Sequence, residues 1–138
     1  MIALHLLKLL EDEGFGVIDQ ALFFEEAPLG SQGDPKEGCW IVERGTTINR
    51  FNHQTQNFDI YSRYTNKLTG YQKLEAILDY LQEAYQDVCD LPSVPPYSNA
   101  VYENVMIQPT SSVENVGVDE NNRIVRVISG VVQYNKAN

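Results

Sequence analysis

Residues able to do acid–base or metal chemistry are few in this sequence, and they are scattered. The two histidines, His5 and His53, lie far apart, and neither has a cysteine or carboxylate at the spacing that metal ligands adopt. Cys39 and Cys89 are fifty residues apart and also lack a second ligand at that spacing, so both are interpreted as buried thiols. The sequence therefore predicts no metal site.

Paired carboxylates offer another route to chemistry, as a general acid and a general base. The acidic groups Glu11–Glu13 and Glu25-Glu26 fall at the ends of predicted elements, where solvated charge is the commoner explanation. The run 119–122 (DENN) lacks the alternating ligands and central glycine of a calcium loop, and favours a surface turn. With no phosphate-binding loop and no nucleophile elbow, we predict neither catalytic residues nor a cofactor.

The distribution of charge along the chain is more informative than any single residue. Between residues 44 and 73, five basic residues accompany only Asp59, whereas residues 74–122 hold nine acidic residues and no lysine or arginine. Copies of such a chain could meet basic side to acidic side in a heterologous contact, which closes into a ring when the rotation permits. The alternative is that these segments are independent solvated faces. The residues predicted to contact a neighbouring subunit are Arg44, Arg50, Arg63 and Lys67.

Length and composition limit the function classes. The 138 residues suit one domain with a single core, and 43% hydrophobic residues are typical of a globular protein. A net charge of −9 argues against a general nucleic-acid binder, because neutralising phosphates requires clustered basic residues. The apolar start MIALHLLKLL is too short to span a bilayer and has no basic region before it, so we expect a cytosolic chain without a membrane partner.

The strongest structural signal runs from Gln54 to Asp90. Residues 58–64 alternate with period two, as a strand does, and the apolar positions from Tyr71 to Val88 recur every three or four residues, as along one stripe of a helix. We predict that Ile77, Leu78 and Leu81 hold this helix to a sheet. The remaining predicted elements are a helix at 2–12, strands at 17–24, 39–44, 101–108 and 124–134, and a hairpin turn within 116–123; Gly130 is predicted to form a bulge.

These elements predict the α+β class. We expect one domain over residues 1–138, with a mostly antiparallel, twisted sheet of about five strands packed against two helices in the order α-β-β-β-α-β-β. The glycine- and proline-rich loop 27–38 and the polar arm 45–56 are expected to be insertions outside the sheet. Loops of this kind often contact partners.

Three segments carry a resemblance to a known family. The sequences CWIVERG (39–45), FDIYSRYTNKLTGYQKLEAILDYL (58–81) and VGVDENNRIVRVISGVVQY (116–134) resemble the small minor capsid proteins of tailed bacteriophages that belong with the tail terminator proteins. The similarity extends over most of the chain from about residue 17, although loop 27–38 and arm 45–56 do not align. Its motifs are structural patterns rather than catalytic signatures.

The resemblance implies a structural protein and not an enzyme. It implies a subunit that assembles into a ring, typically a hexamer, on the tail tube of a siphovirus, stops polymerisation of the major tail tube protein and joins the tube to the head connector or stopper protein. Such a protein is part of the virion, at the tail neck, and is assembled in the host cytoplasm. DNA would pass through the ring without specific binding, and we expect Glu75, Asp79 and Glu83 to face that lumen, where like charge discourages sticking.

Two alternatives to a tail terminator stay open. One is another head-to-tail connection component, such as a stopper or a tube subunit. The other is a small cytosolic enzyme or ligand-binding domain with an apolar pocket between helix and sheet. A pocket with convergent polar groups of perturbed pKa would favour the second alternative.

Overall fold

The computed structural model describes residues 2–25, 36–48, 53–84, 89–95 and 98–136. These residues form a single α+β fold of two helices and a mostly antiparallel sheet, as the sequence predicted, but the sheet has seven strands and not about five. The elements in chain order are α1 (Ile2–Asp12), β1 (Leu22–Phe24), β2 (Gly38–Ile48), β3 (His53–Tyr64), α2 (Thr69–Ala84), β4 (Cys89–Leu91), β5 (Tyr102–Pro109), β6 (Glu114–Val118) and β7 (Ile124–Lys136).

The long strand β7 organises the sheet, whose strand order is β1-β2-β3-β7-β5-β4. Along one side β7 pairs with β3 over its whole length, from His53↔Asn135 to Tyr64↔Ile124. Its other side is shared by β5 and β6, both antiparallel to it. Only the short β1 is parallel to its neighbour, β2. The sheet therefore has two different edges, β1 on one side and β4 with β6 on the other.

One face of the sheet carries the core. Side chains alternate across each strand, so Ile41 of β2, Ile60 of β3 and Ile128 of β7 lie on the same face, and all three are almost fully buried. Both helices pack on that face: α1 lies against β1 and β2, and α2 against β3, β5 and β7. Ile77 and Leu81 of α2 are 1% exposed, which confirms their predicted role.

The predicted arm 45–56 is mostly strand, which corrects the expectation of an insertion. Strand β2 continues to Ile48 and β3 begins at His53, so only residues 49–52 lie between the two strands, outside the described residues. A β-bulge between Glu43 and Thr46 shifts the register. The polar character is explained by cross-strand bonds: Gln56, buried, joins the Thr46 hydroxyl and the Arg44 carbonyl. Most of loop 27–38 lies outside the described residues, but Gly38 already belongs to β2.

Other predicted boundaries also shift. The strand expected at 17–24 is shorter and comprises only β1, Leu22–Phe24. Residues 17–20 form a turn instead. In this turn the Val17 carbonyl accepts hydrogen bonds from three following amides, and Asp19 has φ 68°. Cys89 does not end a helix; it begins β4, paired with Val105. Tyr71, expected in the buried stripe of α2, is 41% exposed. Short strands such as β4 and β6 have too few residues to show a period, which is why the strand count was too low.

Gly130 does not form the predicted bulge. It pairs in register with Phe58, and an added Cβ would lie 2.7 Å from Phe58 Cζ, so glycine leaves room for a buried ring across the strand pair. Gly70, in the first turn of α2, serves the same purpose: a Cβ there would lie 2.7 Å from the Ser62 hydroxyl of β3. Both glycines permit a close approach that any side chain would block.

Candidate functional site

The basic residues predicted to contact a neighbouring subunit fall in different environments. Arg44 has a 62% exposed side chain, and Lys67 is exposed in the turn before α2. Arg63 is only 7% exposed; its Nε donates to the Lys36 carbonyl at 3.0 Å and lies 3.9 Å from Asp119 Oδ2. Arg50 lies outside the described residues. Burial leaves Arg63 little surface for a neighbour, so the prediction depends on Arg44 and Lys67 within the described part of the chain.

Arg44 belongs to a cluster around a buried carboxylate, Asp59, on the sheet face opposite the helices. Asp59 is 3% exposed and lies between β2 and β7. It accepts hydrogen bonds from the Ser129 hydroxyl at 2.6 Å and the Tyr61 hydroxyl at 3.3 Å, and it pairs with Arg44 Nε at 3.1 Å. A buried carboxylate with a complete set of partners holds the strands together rather than waiting for a substrate.

Aromatic rings continue this second face beside the Asp59 cluster. The Trp40 and Tyr61 rings stack with centroids 5.2 Å apart, and the Arg63 guanidinium lies 5.5 Å from the Trp40 ring centroid. Burial, and then the neighbouring Asp59 carboxylate, raise the pKa of Tyr61, so the phenol stays protonated at neutral pH. Arg63 was predicted to contact a neighbouring subunit. Its guanidinium instead packs against this face of its own subunit.

The three acidic residues predicted to face a lumen share one exposed face of α2. Glu75, Asp79 and Glu83 are all exposed and are spaced by four residues, so they form a stripe about 12 Å long. The side opposite this acidic stripe is the buried side, with Leu74, Ile77 and Leu81 in the core. The three predicted residues thus share one surface of the fold. That this surface faces a lumen in an assembly stays a prediction.

His5 is a buried polar residue of α1, at the contact between this helix and the segment before β5. Its ring is 1% exposed, with Nδ1 3.1 Å from the Pro92 carbonyl and Nε2 3.0 Å from the Ser98 hydroxyl. The carbonyl can only accept, so Nδ1 carries the proton and Nε2 accepts from Ser98. Burial lowers the pKa of His5, and the Tyr102 ring meets it edge-on at 4.7 Å.

The His5–Ser98 pair has the hydrogen-bond order of a catalytic dyad, but its surroundings indicate a structural role. The Ser98 hydroxyl also accepts a hydrogen bond from the Ala100 amide at 3.2 Å, and the histidine is enclosed by the core. A nucleophile needs open space for a reacting carbonyl beside donors for the developing charge. The histidine instead ties Pro92 and Ser98 to α1.

Sequence reasoning missed a contact between the start of α2 and β7. Arg126 of β7 donates from Nη2 to the Lys67 carbonyl at 2.9 Å, and its guanidinium lies 5.7 Å from the ring centroid of Tyr71. Leu68, which follows Lys67 in the chain, and Val118, at the end of β6, are 62% and 61% exposed. The helical period placed Tyr71 inside the core stripe, and single apolar residues in a turn or short strand give no periodic signal.

The described residues contain no group of three or more histidine, cysteine, aspartate or glutamate side chains placed to hold a metal ion. No helix in that part of the chain has the length and apolar character needed to cross a membrane.

Comparisons with known proteins leave the family of this chain open. No protein-family model matches the sequence, and a search of curated proteins finds no match either.

Proposed function

We propose that this chain is a structural subunit of a tailed bacteriophage, a tail terminator whose copies form a ring, with six as the expected number. The ring caps the tail tube, stops its polymerisation and presents a second surface to the head connector. The protein does no catalysis in this role and requires no cofactor. The proposal draws on the resemblance of three segments to that family and on surface features that suit a ring around DNA.

The observation that carries the proposal is the acidic stripe of Glu75, Asp79 and Glu83. Like charges four residues apart on a helix repel, each pair costing about 0.2–0.5 kcal/mol, so the two successive pairs cost about 0.4–1 kcal/mol. A surface that opposes folding in this way is expected where it has another use. Facing a lumen, the carboxylates would repel the phosphates of passing DNA and keep it from adhering to the wall.

The outer surface of α2 is free for such a use because the helix is held from its other side. Leu74, Ile77 and Leu81 attach it to the sheet, and the Lys73 ammonium lies over the Tyr64 ring at 5.8 Å, next to the sheet and away from the stripe. The stripe therefore projects from a rigid support. Rigid placement matters because a lumen of fixed width must admit one DNA duplex.

Assembly of the purified protein tests the proposal. Native mass spectrometry and negative-stain electron microscopy should show closed rings, either of the free protein or at the ends of tail tubes incubated with it. Tubes polymerised with the protein present should stop at a defined end and not elongate when more tube subunit is added. A chain that stays monomeric alone and with tubes, and leaves elongation unchanged, would overturn the proposal.

A further inference from the structure

The connection between β4 and β5 contacts α1 and lies outside the seven strands. The structure describes its residues 92–95 and 98–100, and we call these residues the strap. The strap lies between two core residues, Leu91 and Tyr102, which are 4% and 3% exposed. Of the described strap residues, Ala100 alone packs against the core. Hydrogen bonds to His5 are therefore the main tie between the strap and α1.

His5 fastens the strap to α1 at two points. Its Nδ1 lies 3.1 Å from the Pro92 carbonyl, and its Nε2 lies 3.0 Å from the Ser98 hydroxyl. Between these points the strap closes on itself, because the amides of Val94 and Ser98 each donate to the carbonyl of the other, at 2.9 and 3.1 Å. A single imidazole therefore holds both ends of a short loop.

This arrangement suits the neutral imidazole and opposes the charged one. A carbonyl only accepts, so Nδ1 carries the proton of the neutral ring and Nε2 accepts from the Ser98 hydroxyl. Protonation would add an N–H at Nε2. Ser98 would then accept from both the ring and the Ala100 amide, which already donates to it at 3.2 Å, and its own proton would lose its acceptor. The ring is 1% exposed, so water does not compensate the charge.

Among the described residues, no carboxylate bonds the His5 ring to balance a positive charge. The titratable side chains of the surrounding elements are Lys8 of α1, Glu43 of β2, Asp90 of β4, Tyr102 of β5 and Tyr134 of β7. Lys8 forms ion pairs with two carboxylates of its own helix, Asp90 is exposed, and Glu43 accepts from the Ala3 amide at 3.0 Å. Burial raises the pKa of Tyr102 to about 12, so this phenol stays neutral. The positive amino terminus further disfavours a charged His5.

We propose that His5 is a pH-sensitive latch, whose protonation releases the strap from α1 while the rest of the fold stays intact. The release is local because the strap has few apolar contacts, and such segments open at a lower free-energy cost than the whole domain. Ile2 and Leu9 share the His5 face of α1, since they lie three residues before and four after it, so release uncovers an apolar face of the helix. The inference goes beyond the proposed function and does not rest on it.

Hydrogen exchange of single amides tests the latch, measured by NMR between pH 7.5 and pH 5 and corrected for the intrinsic rate at each pH. The Val94 and Ser98 amides report on the strap, because a loop closed by two hydrogen bonds does not stay formed alone in water. Burial lowers the pKa of His5 in the closed state, so the open state takes up the proton first. As pH falls below about 6.5, the opening constant of the strap should rise by up to about tenfold per pH unit, the slope for one proton.

Four variants isolate the part played by the imidazole. His5→Gln cannot take up a proton, so the opening constant of its strap should not change with pH. Ser98→Ala removes the donor to the neutral Nε2, so an NMR titration of the ring nitrogens should show the midpoint of His5 moving up, towards 6.5. Ser93→Ala, a half-buried position of the same strap, is the matched control and should leave both quantities unchanged. Glu43→Gln keeps an oxygen for the Ala3 amide and removes the charge, and it should keep the pH dependence.

Three results would overturn the latch. The first is a strap whose opening does not depend on pH, or depends on it equally in His5→Gln. The second is a strap with the same opening constant as the amides of β3 and α2, because the acid effect would then be unfolding of the whole domain. The third is a His5 that carries its proton on Nε2 at neutral pH. None of these results bears on ring formation, so the proposed function stands or falls separately.

Discussion

Gly130→Ala should destabilise the subunit, although alanine is the better strand residue. The new Cβ would lie 2.7 Å from Phe58 Cζ, 3.1 Å from Phe58 Cε1 and 3.2 Å from the backbone oxygen of Gln108. The Phe58 ring is 2% exposed and belongs to the continuous core, so neighbouring side chains oppose its displacement. The Gln108 oxygen is part of β5, which pairs with β7 beside this residue. Neither obstacle can move without disturbing the sheet or the core.

Two opposing contributions set the size of the effect. Overpacking of a well-filled core costs about 1–3 kcal/mol, and replacing glycine in a strand returns about 0.5–1 kcal/mol of backbone entropy. With two obstacles on one methyl group, we expect a net loss of about 1–2 kcal/mol in the free energy of unfolding. For a chain of this length that corresponds to a fall of about 3–10 °C in Tm.

Urea unfolding followed by circular dichroism measures the loss, and two further variants isolate its cause. Gly45→Ala is the matched control, because a Cβ there meets nothing within 4 Å, and it should leave stability within about 0.5 kcal/mol. Phe58→Leu alone should cost about 1–2 kcal/mol by leaving a gap. Combined with Gly130→Ala it should cost less than the sum, with a coupling of at least about 1 kcal/mol. Additive losses, or a neutral Gly130→Ala, would show that the ring does not dictate glycine here.

Three more predictions concern the stability of the fold, and the last of them also concerns DNA passage. Ser62→Ala should raise the free energy of unfolding by about 0.5–1.5 kcal/mol, since its buried hydroxyl has no hydrogen-bond partner among the described residues; a loss of stability would contradict this. The pKa of His5 is lower in the folded chain than the ordinary 6.5, so the unfolded chain takes up the proton first, and stability should fall as pH drops below about 6.5. His5→Gln should flatten that slope, and an unchanged slope would contradict the role of His5. Neutralising the acidic stripe with Glu75→Gln, Asp79→Asn and Glu83→Gln should stabilise the fold by about 0.4–1 kcal/mol, yet slow DNA passage in an infectivity assay; unchanged infectivity would remove the lumen argument.

The sequence predicted elements well wherever a side-chain period was long enough to be seen. Strand β3 and helix α2 lie where the change of period placed them, and the core stripe of α2 contains Ile77 and Leu81 as expected. The prediction for the arm 45–56 was wrong because the strand residues there are polar. Thr46 donates a hydrogen bond to Gln56 across the strand pair, and no alternation of apolar residues marks these positions. Hydrogen bonds between polar strands stabilise this part of the sheet, and a hydrophobic pattern contains no record of them.

The sequence shows the sign of the charge in each segment, but it does not show which charged side chains are buried or which residues they contact. The acidic residues of α2 share one face because a four-residue spacing requires it, and no tertiary information was needed. Arg63 could not be placed in the same way, since its burial depends on Trp40 from the neighbouring strand and on the Lys36 carbonyl, which only the fold brings near. The contact of Arg126 with the turn before α2 was invisible for the same reason: Arg126 and Lys67 are 59 residues apart.

Contacts with the sheet fix the first turn of α2, from which the acidic stripe extends. Gly70 sets the distance of this turn from β3 through the close approach to Ser62, and Arg126 holds the preceding turn by the Lys67 carbonyl. The acidic stripe begins one turn further along the helix, at Glu75. The Tyr71 hydroxyl bonds Glu75, which raises the pKa of the phenol and connects the first turn to the stripe. In the proposed ring, these contacts would direct the end of the helix from which the carboxylates face the lumen.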